Sequence, residues 1–250
     1  INIKMNKPII QSLWIGEKLS PMELMSINSF IKNGNEFHLY IYNDIPNIPK
    51  GTIVKNGEDI LPKDSIFYYN DDLSKSLIGG GSVSAFSNLF RYKLLHDKGN
   101  YWTDLDMVCL KYFDFQDKYV FSSEHELDTN ETLINAGIIK CPPKCDFIKY
   151  CYNKVLNTNK ETVVWGQIGP RLVREAVINY NLNDYVKPPS YFCPIPYDQT
   201  IRIVNDFSFN IQYESYCIHL WNECWRRSNM DKNTQHNRNS LYEILKSLYL

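Results

Sequence analysis

The sequence has no run near the roughly 20 consecutive apolar residues that a membrane-spanning helix needs, and its opening stretch, Ile1–Gln11, carries no apolar signal region. The expectation is therefore a protein without an integral membrane segment, located in the cytoplasm. An excess of either charge is also missing. The 27 Lys and Arg stand against 28 Asp and Glu, for a net charge of -1. A nucleic-acid binder that works by neutralising phosphates is normally basic, so that class of partner is excluded. No fixed-period repeat argues for a solenoid or propeller, and no Gly/Ser/Pro linker divides the chain. With 11 Gly and 12 Pro in 250 residues the chain is not of low complexity. Seven cysteines contain no CxxC pair, so reduced, packed thiols are expected rather than a zinc site. Aromatics are plentiful: 18 Tyr, 12 Phe and 5 Trp make 14% of the chain. A core can absorb that many rings, and so can a site that stacks on flat ligands.

Local patterns predict an α/β protein. Lys7 to Ile15 reads as a short buried strand. Ser20, Pro21 and Glu23 form a capping-box start with Pro at the first helical position. Met25, Phe30 and Ile31 give that helix an apolar face, and Asn33-Gly34 ends it. From Glu36 to Tyr42, Phe37, Leu39 and Ile41 alternate with His38, Tyr40 and Tyr42, as in a strand. A βαβ opening places a ligand at the carboxyl ends of the strands. Residues 45 to 80 read as loop. Gly79-Gly80-Gly81 lacks the Lys-Ser/Thr of a phosphate-binding P-loop. Val83, Phe86, Leu89, Phe90 and Leu94 predict a second helix stopped by Gly99. Further helices are predicted from about Asp146 to Leu156, from Pro170 to Tyr180, and from Ser240 to the C-terminus.

Between Tyr101-Trp102-Thr103 and Val108-Cys109-Leu110 lies an acidic corner. Asp104 and Asp106, two apart in extended chain, project the same way, roughly 6.5 to 7 Å apart. A divalent ion and the diphosphate it holds can bridge that gap, and hard oxygen ligands suit Mn²⁺ or Mg²⁺. Sixteen Asp in the chain produce about one such pair by chance, so a solvated turn is the plain alternative. The preceding helix adds context. Asn88 and Arg91 share one helical face and bring an amide and a cation toward the corner, as recognition of a sugar diphosphate requires.

Ser87-Asn88-Leu89-Phe90-Arg91-Tyr92, then Gly99 and Tyr101-Trp102-Thr103-Asp104-Leu105-Asp106, resembles the DXD sugar-nucleotide motif of glycosyltransferase family 32. That family is related to the glucosyltransferase domains of large clostridial toxins. Three further segments fit it in order: Pro8 to Gly16, Trp165-Gly166-Gln167-Ile168-Gly169-Pro170, and His219-Leu220-Trp221-Asn222-Glu223-Cys224-Trp225. The resemblance spans about residues 7 to 225 and is closest to the compact bacterial and viral members. It implies one GT-A type domain, a Rossmann-like mixed sheet flanked by helices. About residues 1–110 would form the nucleotide-sugar half, and about 111–250 the acceptor half with a C-terminal flap. It implies transfer of a hexose from a UDP-hexose, or from GDP-mannose, to a hydroxyl of a glycan or other acceptor, with retention of configuration.

By the same resemblance Trp14, with Ile15 and Gly16, borders the nucleotide base. Asp104 and Asp106 hold the metal, with His219 as a candidate third ligand, and Arg91 adds positive charge beside the departing diphosphate. Trp221 belongs to the donor-side flap, and Asn135, Gln167 and Gly169 to the acceptor side. Plainer readings stay open. Trp14 also suits a core, and His219 suits a structural hydrogen bond. Asn135-Ala136-Gly137 suits a turn, and Trp221 with Trp225 suits a packed helical stripe. The run Arg226 to Asn239 suits a solvated loop. Asn88 stands where the family has Asp, Asn100 replaces the second Gly of a pair, and Trp102 replaces a Tyr. These departures bear on donor identity more than on metal binding. A metal-dependent phosphohydrolase and a non-catalytic sugar-nucleotide binder are the rival readings.

Overall fold

The computed structural model describes residues 7–69, 81–126, 131–206, 208–209 and 211–250; Gly79 and Gly80 lie outside them. The opening is strand β1 (Ile9–Trp14), helix α1 (Pro21–Lys32) and strand β2 (Glu36–Ile41), as the sequence patterns predict. Strand β3 (Ile53–Asn56) then falls inside the stretch read as loop. It is a four-residue strand with no buried side chain, so its pattern carries no alternation. Helix α2 (Ser84–Lys98) ends at Gly99 and leads into β4 (Asn100–Thr103) and β5 (Met107–Cys109). Strands β6 (Val120–His125) and β7 (Thr132–Cys141) follow, and Asn135-Ala136-Gly137 falls inside β7. The remainder is α3 (Asp146–Leu156), α4 (Pro170–Asn179), α5 (Pro189–Phe192), α6 (Thr200–Asn205), β8 (Cys217–His219), α7 (Asn222–Arg227) and α8 (Leu241–Tyr249).

The main sheet has the order β3-β2-β1-β4-β7-β6. The first four strands are parallel, and β7 and β6 are antiparallel additions. Parallel strands need both faces covered, and the residues meet that need. Phe37 and Leu39 pack with Met22, Met25 and Phe30 of α1 and with Leu241, Tyr242 and Leu245 of α8. Leu13, Tyr40 and Trp102 pack with Phe86, Phe90 and Leu94 of α2 and with Phe147 and Val173 of α3 and α4. Each such side chain contributes about 1.5–3 kcal/mol by leaving water. The mixed α/β architecture expected from the sequence is thus the one observed.

The strand order places the site. From β1 the chain moves outward to β2 and β3, then returns to lay β4 on the other side of β1. In open α/β sheets a ligand crevice forms at such a reversal, beyond the carboxyl ends of the strands. Trp14 ends β1, and Asp104 follows β4. The Ser12 hydroxyl donates to the Thr103 carbonyl at 2.7 Å and ties the two strand ends together.

Candidate active site

Asp104 is fixed from behind. Arg91 Nη2 donates to its Oδ1 at 2.7 Å and Trp102 Nε1 donates to the same atom at 2.8 Å. Arg91 Nη1 donates to the Ala136 carbonyl at 2.8 Å, and its guanidinium lies 4.9 Å from the Trp102 ring. Arg91 is only 4% exposed, whereas about a third of the Asp104 side chain (32%) is open. Burial pushes the Asp104 carboxyl above the usual carboxylate range, and Arg91 offsets part of that rise. Arg91 also lines the cavity, so it sets the orientation of Asp104 and adds positive charge beside the acidic corner.

Asp106 is joined to a distant segment. Strand β5 pairs with β8 in a two-stranded ribbon that sets Met107 opposite His219. This pairing seats His219 Nε2 3.2 Å from Asp106 Oδ2, and the Asn222 N–H donates to the same oxygen at 2.9 Å. His219 Nδ1 lies 3.7 Å from Cys193 Sγ, and the Trp221 ring centroid is 3.7 Å from that of His219. His219 holds Asp106 below the ordinary carboxylate range, and Asp106 raises His219 well above an ordinary imidazole. Asp106 Oδ1 is buried with no hydrogen-bond partner among the described residues. A buried carboxylate oxygen without a donor is costly, and a cation would satisfy it. Two carboxylates and an imidazole fit Mn²⁺ or Mg²⁺ by donor chemistry. Among the described residues no three His, Cys, Asp or Glu side chains stand as a preformed metal cluster.

Asp104, Asp106 and His219 open on one cavity of about 740 Å³, within the size of small-molecule sites. Trp14 and Ile15 line it from the end of β1, and Asn88 lines it from α2. Gly16 is not on the wall but underlies Trp14, where a Cβ would come within 3.0 Å of the indole nitrogen. That nitrogen is buried without a hydrogen-bond partner among the described residues. Asn88 Nδ2 donates to the Tyr69 hydroxyl at 3.2 Å. Gly169 packs on the Asn88 amide, since a Cβ there would lie 3.2 Å from Nδ2. The Tyr92 hydroxyl donates to the Ile168 carbonyl at 2.9 Å and holds this loop on α2.

Three expectations take a different form. Asn135 is no turn residue: it sits inside β7, on the cavity wall. Its Oδ1 accepts from the Ser122 hydroxyl and the Gly137 N–H, and its Nδ2 donates to Glu124 Oε2 and Cys193 Sγ. Gln167 is exposed, off the cavity wall, and accepts from the Val164 N–H at 3.2 Å. Trp221 and Trp225 do not share a helical stripe. Trp221 has φ 59 and precedes α7, a left-handed backbone rare for a bulky residue. Trp221 lines the cavity with its Nε1 on the Ile195 carbonyl, while Trp225 is 1% exposed in the core.

No family model matches the chain. No curated protein sequence matches it either. Among solved structures it is similar to PaToxG glycosyltransferase, with a TM-score of 0.48, 14% identity, and coverage of 97% of this chain and 87% of that one. It is also similar to the apo-form glycosyltransferase GlyE of Streptococcus pneumoniae TIGR4, with a TM-score of 0.44, 12% identity, and coverage of 98% and 63%. The chain thus spans less than two thirds of the length of that second protein.

Other groups at the cavity were not evident from sequence. Glu124 and Glu126, on and just after β6, line it. Arg227 lines it from the end of α7, and its side chain makes no hydrogen bond or ion pair among the described residues. Glu23, read as a helix cap, keeps that role: its Oε2 accepts from the Ser20 N–H at 2.7 Å. It is also 2% exposed, lines the cavity, and accepts from Lys232 Nζ at 2.5 Å. Lys232 donates as well to Asn222 Oδ1 at 2.9 Å and stands 5.9 Å from the Trp14 ring centroid. The polar run from Arg226 to Asn239 is therefore anchored beside the site at Lys232.

Proposed function

We propose that this chain is a metal-assisted glycosyltransferase of the GT-A type. It transfers a hexose from a nucleoside diphosphate sugar, UDP-hexose before GDP-mannose, to a hydroxyl of a glycan or other acceptor. The family resemblance supports retention of anomeric configuration. One observation carries the reading: the crevice at the sheet's reversal holds an aromatic from β1, the Asp104/Asp106 corner after β4, and His219 delivered by β8. Asp106, Asp104 and His219 would hold Mn²⁺ or Mg²⁺, whose contribution when bound is to neutralise the departing diphosphate.

The chain's own groups do the rest. Arg91 and Trp102 keep Asp104 in one orientation. Trp14 offers a ring face for the base, and Asn88 offers an amide that both donates and accepts for sugar hydroxyls. Arg227 brings a second cation to the cavity besides Arg91. A panel of nucleotide sugars tested for Mn²⁺-dependent thermal stabilisation checks this reading. At least one UDP- or GDP-sugar is expected to raise the melting temperature only with metal present. Stabilisation by simple phosphate esters alone would favour a phosphohydrolase.

Two substitutions test the donor side. Trp14→Ala is expected to weaken UDP binding by about 1–3 kcal/mol, the scale of base–aromatic stacking. Calorimetric titration of the folded variant reads this, and an unchanged affinity would return Trp14 to a packing role. Arg227→Ala is expected to raise the KM for the sugar nucleotide about fivefold, less at high salt, because an exposed charge contact is modest and screened. Initial rates at two ionic strengths check it. Equal KM values at both would remove Arg227 from the phosphate contact.

A further inference from the structure

Glu124 is held as a binding group is held. It projects from β6 into the cavity that contains Asp104 and Asp106. Its Oε2 accepts from Asn135 Nδ2 at 3.0 Å. The orientation of that amide is dictated. The Gly137 N–H, which can only donate, points at Asn135 Oδ1 at 3.1 Å, so the amide nitrogen must face Glu124. The Ser122 hydroxyl donates to the same Oδ1. β6 and β7 pair through this region, which makes the cluster part of the sheet. Glu124 Oε1 has no partner among the described residues and is not among their buried unpartnered atoms, so it opens on the cavity.

No Lys or Arg pairs with Glu124 among the described residues. Burial raises its carboxyl above the usual range, with Asn135 and the charge of His219 pulling it back. A carboxylate partly withdrawn from water, fixed at one oxygen and open at the other, suits a neutral hydrogen-bond donor. In a cavity that takes a sugar nucleotide, such donors are the hydroxyls of a polyol.

We propose that Glu124, oriented by Asn135, is a hydroxyl-binding carboxylate that recognises a sugar ring in the cavity, that of the donor hexose or of the acceptor. The inference rests on the glycosyl-transfer reading and adds to it a recognition residue outside the DXD corner. It also gives Asn135 a positioning role in place of direct contact with the acceptor.

The test compares wild type, Glu124→Ala and Glu124→Gln, each verified as folded by thermal unfolding. UDP and UDP-hexoses are titrated calorimetrically with Mn²⁺, and transfer to a panel of alkyl glycosides is measured against donor hydrolysis. Expected for Glu124→Ala is UDP affinity within twofold of wild type, with a loss of about tenfold or more in one of two arms. Loss in UDP-hexose affinity assigns the donor sugar; loss confined to the KM of the glycoside assigns the acceptor. Glu124→Gln keeps an acceptor for Asn135 but turns a donor toward the cavity, and is expected to lose about fivefold in the same arm. It serves alone if the Ala variant does not fold. Unchanged values in both arms, or an equal loss for UDP itself, overturn the Glu124 inference alone. A wild-type protein that binds neither UDP nor any sugar nucleotide overturns the glycosyl-transfer reading and Glu124 with it.

Discussion

Asp106→Asn is expected to lower metal-stimulated turnover of a sugar nucleotide about a hundredfold or more while leaving the protein folded. The two halves of that expectation come from the two oxygens of one carboxylate. Oδ2 accepts from the Asn222 N–H and faces His219, and an amide oxygen can still serve Asn222. Oδ1 is the buried oxygen with no partner among the described residues, and an amide there is a poor ligand for a hard cation. The fold has little reason to fail, because Asp106 is also held through its main chain, whose carbonyl accepts from the Leu220 N–H at 2.8 Å. Parallel measurements of melting temperature and of Mn²⁺-dependent nucleotide release decide the matter. Wild-type release from a folded Asp106→Asn protein would remove Asp106 from the metal site.

Gly99→Ala is expected to be among the most damaging single substitutions, at about 3 kcal/mol or more, although it removes no contact. Gly99 closes α2 with φ 63 and ψ -149, a region that side chains disfavour. A Cβ there would lie 2.6 Å from Pro143 Cδ, 2.7 Å from Pro143 N and 3.0 Å from the Cys141 carbonyl. Two of those atoms are backbone, so no rotamer change relieves the clash. The same junction sets the register Asn100↔Cys141 between β4 and β7, and the Gly99 carbonyl accepts from Gln11 Nε2 at 2.8 Å. Moving it would shift the acidic corner as well. Thermal unfolding should show a fall of roughly 6 °C or more for a domain of this size. A melting temperature within a degree of wild type would show that β7 yields there at little cost.

The parts legible in the sequence are the local ones. β1, α1 and β2 follow from apolar spacing and a capping box, and α2 follows from Phe86, Leu89, Phe90 and Leu94 with Gly99 after it. The Asp104/Asp106 pair is legible from its spacing, but not its extended geometry: the Met107 N–H donates to the Asp104 carbonyl at 3.3 Å, so the corner is a turn between β4 and β5. β6 and β7 escape such reading because their polar residues satisfy one another across strands. Ser122, Glu124 and Asn135 break the alternation of apolar side chains that marks a strand, and Asn135-Ala136-Gly137 imitates a turn. Trp221 and Trp225 have helical spacing, but the left-handed backbone at Trp221 puts the helix start between them.

The site depends most on contacts that no local pattern encodes. His219 reaches Asp106 across 113 positions through the β5–β8 ribbon, and Lys232 reaches Glu23 across 209. The helical spacing of Arg91 from Asn88 points it toward the acidic corner, where it meets Asp104. Its burial against Trp102, which adds support of Asp104 to its place on the cavity wall, follows only from the packing of α2 on β4.

The most direct test of the central claim is nucleotide release from UDP-hexoses and GDP-mannose by the wild-type protein, stripped with a chelator and then titrated with Mn²⁺. Release is expected to be absent after stripping, to return saturably with metal, and to increase with a glycoside acceptor. No release from any donor at any metal concentration, or release indifferent to stripping, would contradict a metal-assisted glycosyl transfer at Asp104 and Asp106.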